Sequence, residues 1–115
     1  MQAVHRYNAA CAAALAGGGQ GTGGDKLSTA ERARWRQQAR AWLQADLAVW
    51  AGKLDRGTSA DRAQVKTMMK RWQADTDLAG LREPAALDKW SAQERGEWLA
   101  LWKEVGALLK RATSP

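Results

Sequence analysis

The sequence predicts an all-α chain, and three observations carry that prediction. Apolar residues recur at three- and four-residue spacing through most of the 115 positions. Two Ser-x-x-Glu signatures, Ser28 with Glu31 and Ser91 with Glu94, mark helix starts. No window alternates apolar and polar residues with the β-branched enrichment a strand needs. The length suits one domain of four to five helices around a single core.

Each element follows in order. A first helix is expected over residues 2–16, where Val4 to Ala16 is mostly alanine with Tyr7, Asn8, Cys11 and Leu15. Alanine is the best helix former, and its small side chain lets a second helix approach closely. Residues 17–27 read as a glycine-rich hinge, because six of the eleven glycines fall between Gly17 and Gly24. A long helix over 28–54 opens at the Ser28 capping box and closes before Gly57. Its Trp35, Ala39, Trp42, Leu43, Leu47, Val49 and Trp50 spread over roughly 160°, a face that needs covering on two sides. Asp46 projects into the middle of that face and demands an arginine or an indole N–H as partner.

A helix over 59–75 begins at Thr58 or Ser59, gathers Val65, Met68, Met69 and Trp72 on one stripe and turns Lys66, Lys70 and Arg71 away. Asp77 to Pro84 reads as a turn anchored by Leu78 and Leu81, with Pro84 as first residue of a short helix over 84–89. The last helix, 91–112, confines Trp98, Leu101, Trp102, Val105, Leu108 and Leu109 to a stripe of about 120°. Six of the seven tryptophans (Trp35, Trp42, Trp50, Trp72, Trp98, Trp102) are expected in the core, and Trp90 is expected to staple the first turn of the last helix.

Composition narrows function. Hydrophobic residues are 45% and charged residues 26%, which excludes disorder and a disulfide scaffold. No apolar run approaches the ~20 residues of a membrane span. The start Met1-Gln-Ala-Val-His-Arg-Tyr7 lacks a secretion-signal pattern, and the single cysteine cannot close an internal disulfide, so a cytoplasmic protein is expected. One histidine and one cysteine leave almost no material for a metal cluster or histidine-based catalysis. Hence no catalytic residue, cofactor or metal ligand is expected. His5 reads as an exposed terminal histidine, and Cys11 as a small packing residue rather than a nucleophile. Gly24-Asp-Lys-Leu-Ser28 lacks the spacing of a phosphate-binding loop.

The net charge of +6 is concentrated: residues 1–25 sum to zero, 26–72 carry an excess of seven positive charges, and 73–115 sum to −1. Arg32, Arg36 and Arg40 at four-residue spacing, with Lys66, Lys70 and Arg71, make a candidate basic patch for nucleic acid or an acidic protein. Followed along the helix, however, the arginine row drifts into Leu43, Leu47 and Trp50. These stems therefore border the core.

Tyr7-Asn-Ala-Ala-Cys-Ala-Ala-Ala-Leu-Ala-Gly17 resembles the first helix of a tetratricopeptide repeat, with Ala9-Ala10, Ala13 and Ala16-Gly17 at the family's small positions and Ala39 and Leu43 matching its partner helix. The chain departs from the family in its long inter-helix loop and in Asp46, where a small residue is usual. Trp72 to Arg82 and Trp98 to Arg111 are similar to the C-terminal end of large bacterial signalling proteins that carry such repeats. The resemblance implies a terminal helical hairpin followed by two to three capping helices. It also implies a ligand surface at Val4, Tyr7, Cys11, Ala14 and Leu15, although Cys11 replaces the asparagine of the peptide-clamping members.

The expected function is thus a non-catalytic interaction or scaffolding module that docks through apolar helix faces. Its expected partner is another protein or a second copy of itself, through exchange of the first helix; no membrane is expected. Electrostatic binding through residues 26–72 is the alternative.

Overall fold

The computed structural model describes residues 3–18 and 28–113, with side chains from residue 6 onward. The chain is all-α: α1 (Ala3–Gly17), α2 (Thr29–Arg56), α3 (Ser59–Ala74), a 3₁₀ segment (Thr76–Leu81), α4 (Pro84–Leu87) and α5 (Ala92–Thr113). There is no strand among the described residues. The hinge expected at 17–27 lies, from residue 19 on, outside them.

Local chemistry explains the boundaries. The Ser28 hydroxyl accepts the Glu31 amide at 3.1 Å while Glu31 Oε1 accepts the Ser28 amide at 3.2 Å, so the capping box opens α2 from both sides. The helix runs to Arg56, and Gly57, at φ 73°, supplies the left-handed residue that ends it. Thr58 accepts the Asp61 amide at 3.0 Å and starts α3. At the far end Asp75 Oδ1 accepts the Asp77 amide at 3.0 Å and turns the chain into the 3₁₀ segment. Arg82 donates to the Trp72 and Asp75 carbonyls at 3.0 and 2.9 Å, satisfying acceptors that the end of α3 leaves open. The stretch expected as a turn is therefore helical, and its anchors Leu78 and Leu81 are buried.

The second Ser-x-x-Glu signature is only half a box. Ser91 accepts the Glu94 amide at 3.1 Å, but the Glu94 carboxylate turns away to Arg36. A buried guanidinium needs a counter-charge more than an exposed helix end needs a second cap.

α3 packs on α5 and α2, and α2 packs on α5, around fully buried Leu43, Val65, Met69, Trp72, Leu78, Leu81, Leu87, Trp98, Leu101 and Val105. α1 lies antiparallel against α2: Gly17 sits beside Arg36 at one end, and Arg6 bonds Asp46 at the other. Their seam is made of Ala10, Ala13, Ala14 and Gly17. A Cβ at Gly17 would stand 3.0 Å from the Arg36 nitrogen and 3.1 Å from the Arg32 carbonyl oxygen, so glycine is what lets the helices close there.

One expectation for the tryptophans needs correction. Trp35 is 42% exposed rather than in the core, because α1 covers the flank of α2 that carries Ala39, Leu43 and Asp46 and leaves the outer edge open. Trp90, expected to staple α5, is half-buried; its indole N–H donates to the Gly80 carbonyl at 3.2 Å and its ring lies 3.8 Å from the Arg36 guanidinium.

Candidate functional site

The structure divides the residues that the sequence singled out among three places. The first is a polar seam under α1. Tyr7, Cys11 and Ala14 are buried in the chain's own core and Leu15 is half-buried; the Val4 side chain lies outside the described residues. Tyr7 stacks on Trp72 with ring centroids 5.5 Å apart, and its hydroxyl donates to Asp75 Oδ2 at 2.7 Å. The Cys11 thiol meets the same oxygen at 3.8 Å. Burial, reinforced by the Asp75 charge, pushes the thiol up to about 11, which keeps it in the unreactive protonated form. Burial and the bond to Asp75 likewise raise the Tyr7 phenol. Burial alone would raise Asp75 too, yet the Tyr7 hydroxyl, the Asp77 amide and the Arg71 charge together hold it below the ordinary aspartate value of 3.8. Cys11, Asp75 and Asp77 bring ligand-type atoms within 4.8 Å of one another, but both Asp75 oxygens already close this seam. Tyr7, Cys11 and Ala14 of the surface expected on α1 thus face inward, because Trp72 and the 3₁₀ segment cover them.

The second place is the basic patch, which the fold breaks up. Arg36 is buried: it donates to Glu94 Oε2 at 3.1 Å and to the Gly17 carbonyl at 2.9 Å, so it ties α1, α2 and α5 together and cannot face a phosphate. Arg40 is half-buried and pairs with Glu97 at 2.8 Å. Arg32 lines, with Arg36, Lys89 and Trp90, a cleft of about 330 Å³ at the end of α1. Lys66, Lys70 and Arg71 stay exposed on α3, with the Arg71 guanidinium 5.1 Å from the Tyr7 ring centroid. Charge spacing along one helix could not show this, because the carboxylates that engage the arginines come from α5.

The third place is the outer face of the α1–α2 hairpin. Tyr7 to Gly18 contains no charged residue, and the part of α1 turned from the core presents Asn8, Ala9, Ala12, Leu15 and Ala16, all exposed or half-buried. Beside it α2 presents Trp35 at 42% and Val49 at 41% exposure, with Trp42 half-buried between them. An isolated exposed apolar residue is ordinary; here Trp35 and Val49 share one side of α2 beside an uncharged helix surface. Trp35, Trp42 and Val49 were all expected under cover: Trp42 packs against the core, whereas Trp35 and Val49 are exposed. The available signal was their seven-residue spacing, which separates them from the buried line Ala39, Leu43, Leu47, Trp50 and Leu54.

A lined groove also runs between α2 and α5, about 330 Å³ in volume, past Leu47, Ala48, Ala51, Ala107 and Leu108. No helix among the described residues is long and apolar enough to cross a membrane. Comparison with known proteins finds no matching family, no matching curated relative and no matching solved structure.

Proposed function

We propose that this chain is a non-catalytic, cytoplasmic protein–protein interaction module, built like a terminal tetratricopeptide hairpin with a helical cap, that docks through the outer face of α1 and α2. The observation that carries this reading is the line of exposed Trp35 and Val49, with half-buried Trp42 between them, beside a helix without charge from Tyr7 to Gly18. Aromatic side chains at the centre of an apolar patch are the usual anchors of an interface. The polar groups capable of chemistry support the same reading, since Tyr7 and Cys11 bond Asp75 and Arg36 bonds Glu94 inside the fold. The electrostatic alternative retains Lys66, Lys70 and Arg71 as its exposed group.

The test is site-specific photocrosslinking in living cells. A benzophenone side chain at position 35 or 12 is expected to give discrete protein adducts, and one at position 66, on α3, none. Adducts from position 66 alone, lost at high salt, would transfer the function to the basic residues. No adduct from positions 35 and 12 would refute the outer face as the docking surface.

A further inference from the structure

We infer that the partner of this face is a second copy of the same chain, with α2 packed antiparallel on α2 about a two-fold axis. The inference rests on the docking reading above and adds the identity of the partner. It starts from two parallel lines on the outward side of α2. Trp35, Trp42, Val49 and Arg56 recur every seven residues, and so do Glu31, Gln38, Ala45 and Gly52. At 100° per residue the lines lie about 40° apart and centre about 120° from the buried stripe, on its Asp46 side. All eight residues are exposed except Trp42, which is half-buried.

Two antiparallel helices with this pattern pair each member of one line with a member of the other. The layers come out as Trp35 on Gly52, Trp42 on Ala45, Val49 on Gln38 and Arg56 on Glu31, and the two-fold axis repeats each once. Every indole thus meets one of the two smallest residues on the face, and opposite charges meet at both ends. A parallel pairing would instead set indole on indole, Glu31 on Glu31 and Arg56 on Arg56. Self-complementarity in both size and charge is what a two-fold interface requires, and an unrelated partner would impose neither.

Gly52 supplies a further argument. It lies inside a helix, where glycine is unfavourable, and a Cβ there would meet nothing within 4 Å. No contact within the chain needs that space, whereas the Trp35 indole of a second copy would fill it. The paired span from Glu31 to Arg56 is about 38 Å long, comparable with the full length of α2.

The experiment measures solution mass by light scattering over a concentration series. The unaltered chain is expected at twice 12.6 kDa. Ala45 is exposed, so Ala45→Glu leaves the fold intact, but it sets a carboxylate against Trp42 and should weaken association by about 30-fold or more. Glu31→Lys and Arg56→Glu should each weaken it alone, and mixing the two variants should restore a dimer containing one of each. That rescue cannot arise from a change in folding, since both chains keep their own substitution. A dimer untouched by Ala45→Glu would place the interface elsewhere and overturn the inference. A monomer at every concentration would overturn it as well. Adducts from position 35 to a different protein would in that case leave the docking reading standing, and their absence would remove both.

Discussion

The α3–α5 contact and the α1–α2 contact are held by different means. α3 and α5 bring Val65, Met69, Trp72, Trp98, Leu101 and Val105 into a core where each is at most 1% exposed. Their hold comes from apolar area, at about 25 cal/mol per Å² removed from water. α1 instead brings alanines and Gly17. These bury little area apiece, and their use is to let two backbones approach. Polar pins add to the hold of α1: Arg36 with the Gly17 carbonyl and Arg6 with Asp46 across the seam with α2, and Tyr7 with Asp75 at the end of α3. One half of the molecule is thus held by a term insensitive to pH, and the other by bonds that protonation can alter.

The strongest way to break this comparison is in the apolar half. Trp98→Ala should cost about 3–5 kcal/mol and remove the cooperative urea transition, because the space left by a fully buried indole cannot collapse against rigid helices. If that loss proves no larger than for an alanine-seam substitution, the division between the halves fails.

Arg36→Met comes next, at about 3 kcal/mol, since it strands the buried Glu94 carboxylate. Replacing both partners, Arg36→Met with Glu94→Leu, should recover most of the loss. Urea denaturation of the two variants separates stranding of a charge from loss of packing.

Gly17→Ala should cost about 1–3 kcal/mol by forcing α1 off α2. Hydrogen exchange should rise in α1 while α5 stays protected.

The smallest effect sharpens the comparison through pH. Burial raises the Asp46 carboxyl, and Arg6 only partly offsets this. A raised acid favours folding in its protonated form, so its stabilising contribution is present below the ordinary 3.8 and is lost as pH rises through the folded value. Asp75 is lowered, so its contribution is present above 3.8 and is lost as pH falls through its folded value. Relative to the parent, Asp46→Asn should therefore gain stability as pH rises from about 4 to 7, whereas Asp75→Asn should lose most near neutrality and least in acid. Denaturation midpoints from about pH 2 to 7 measure both, because the Asp75 contribution is lost only below 3.8; shifts of the same sign would contradict the assignment.

Much of the fold could be read from local pattern. Helix periodicity, the Ser28–Glu31 box, Gly57 and Pro84 act within a few residues of themselves, so the all-α class and the element order need no tertiary information. The demand of Asp46 for an arginine or an indole N–H was equally legible, because a carboxylate on an apolar face is costly wherever it lands, and Arg6 meets it. Other assignments depended on distant chain. Glu94 left its cap for Arg36, 58 residues away, and in doing so dissolved the basic row. Tyr7 and Cys11 turned inward because Asp75 and Trp72 lay within reach. Trp35 stayed outside because α1, made of small residues, covers one flank of α2 and no more. Periodicity states which residues share a face of a helix; which of two apolar faces is buried depends on where the other helices have room to pack, and only the tertiary structure decides that.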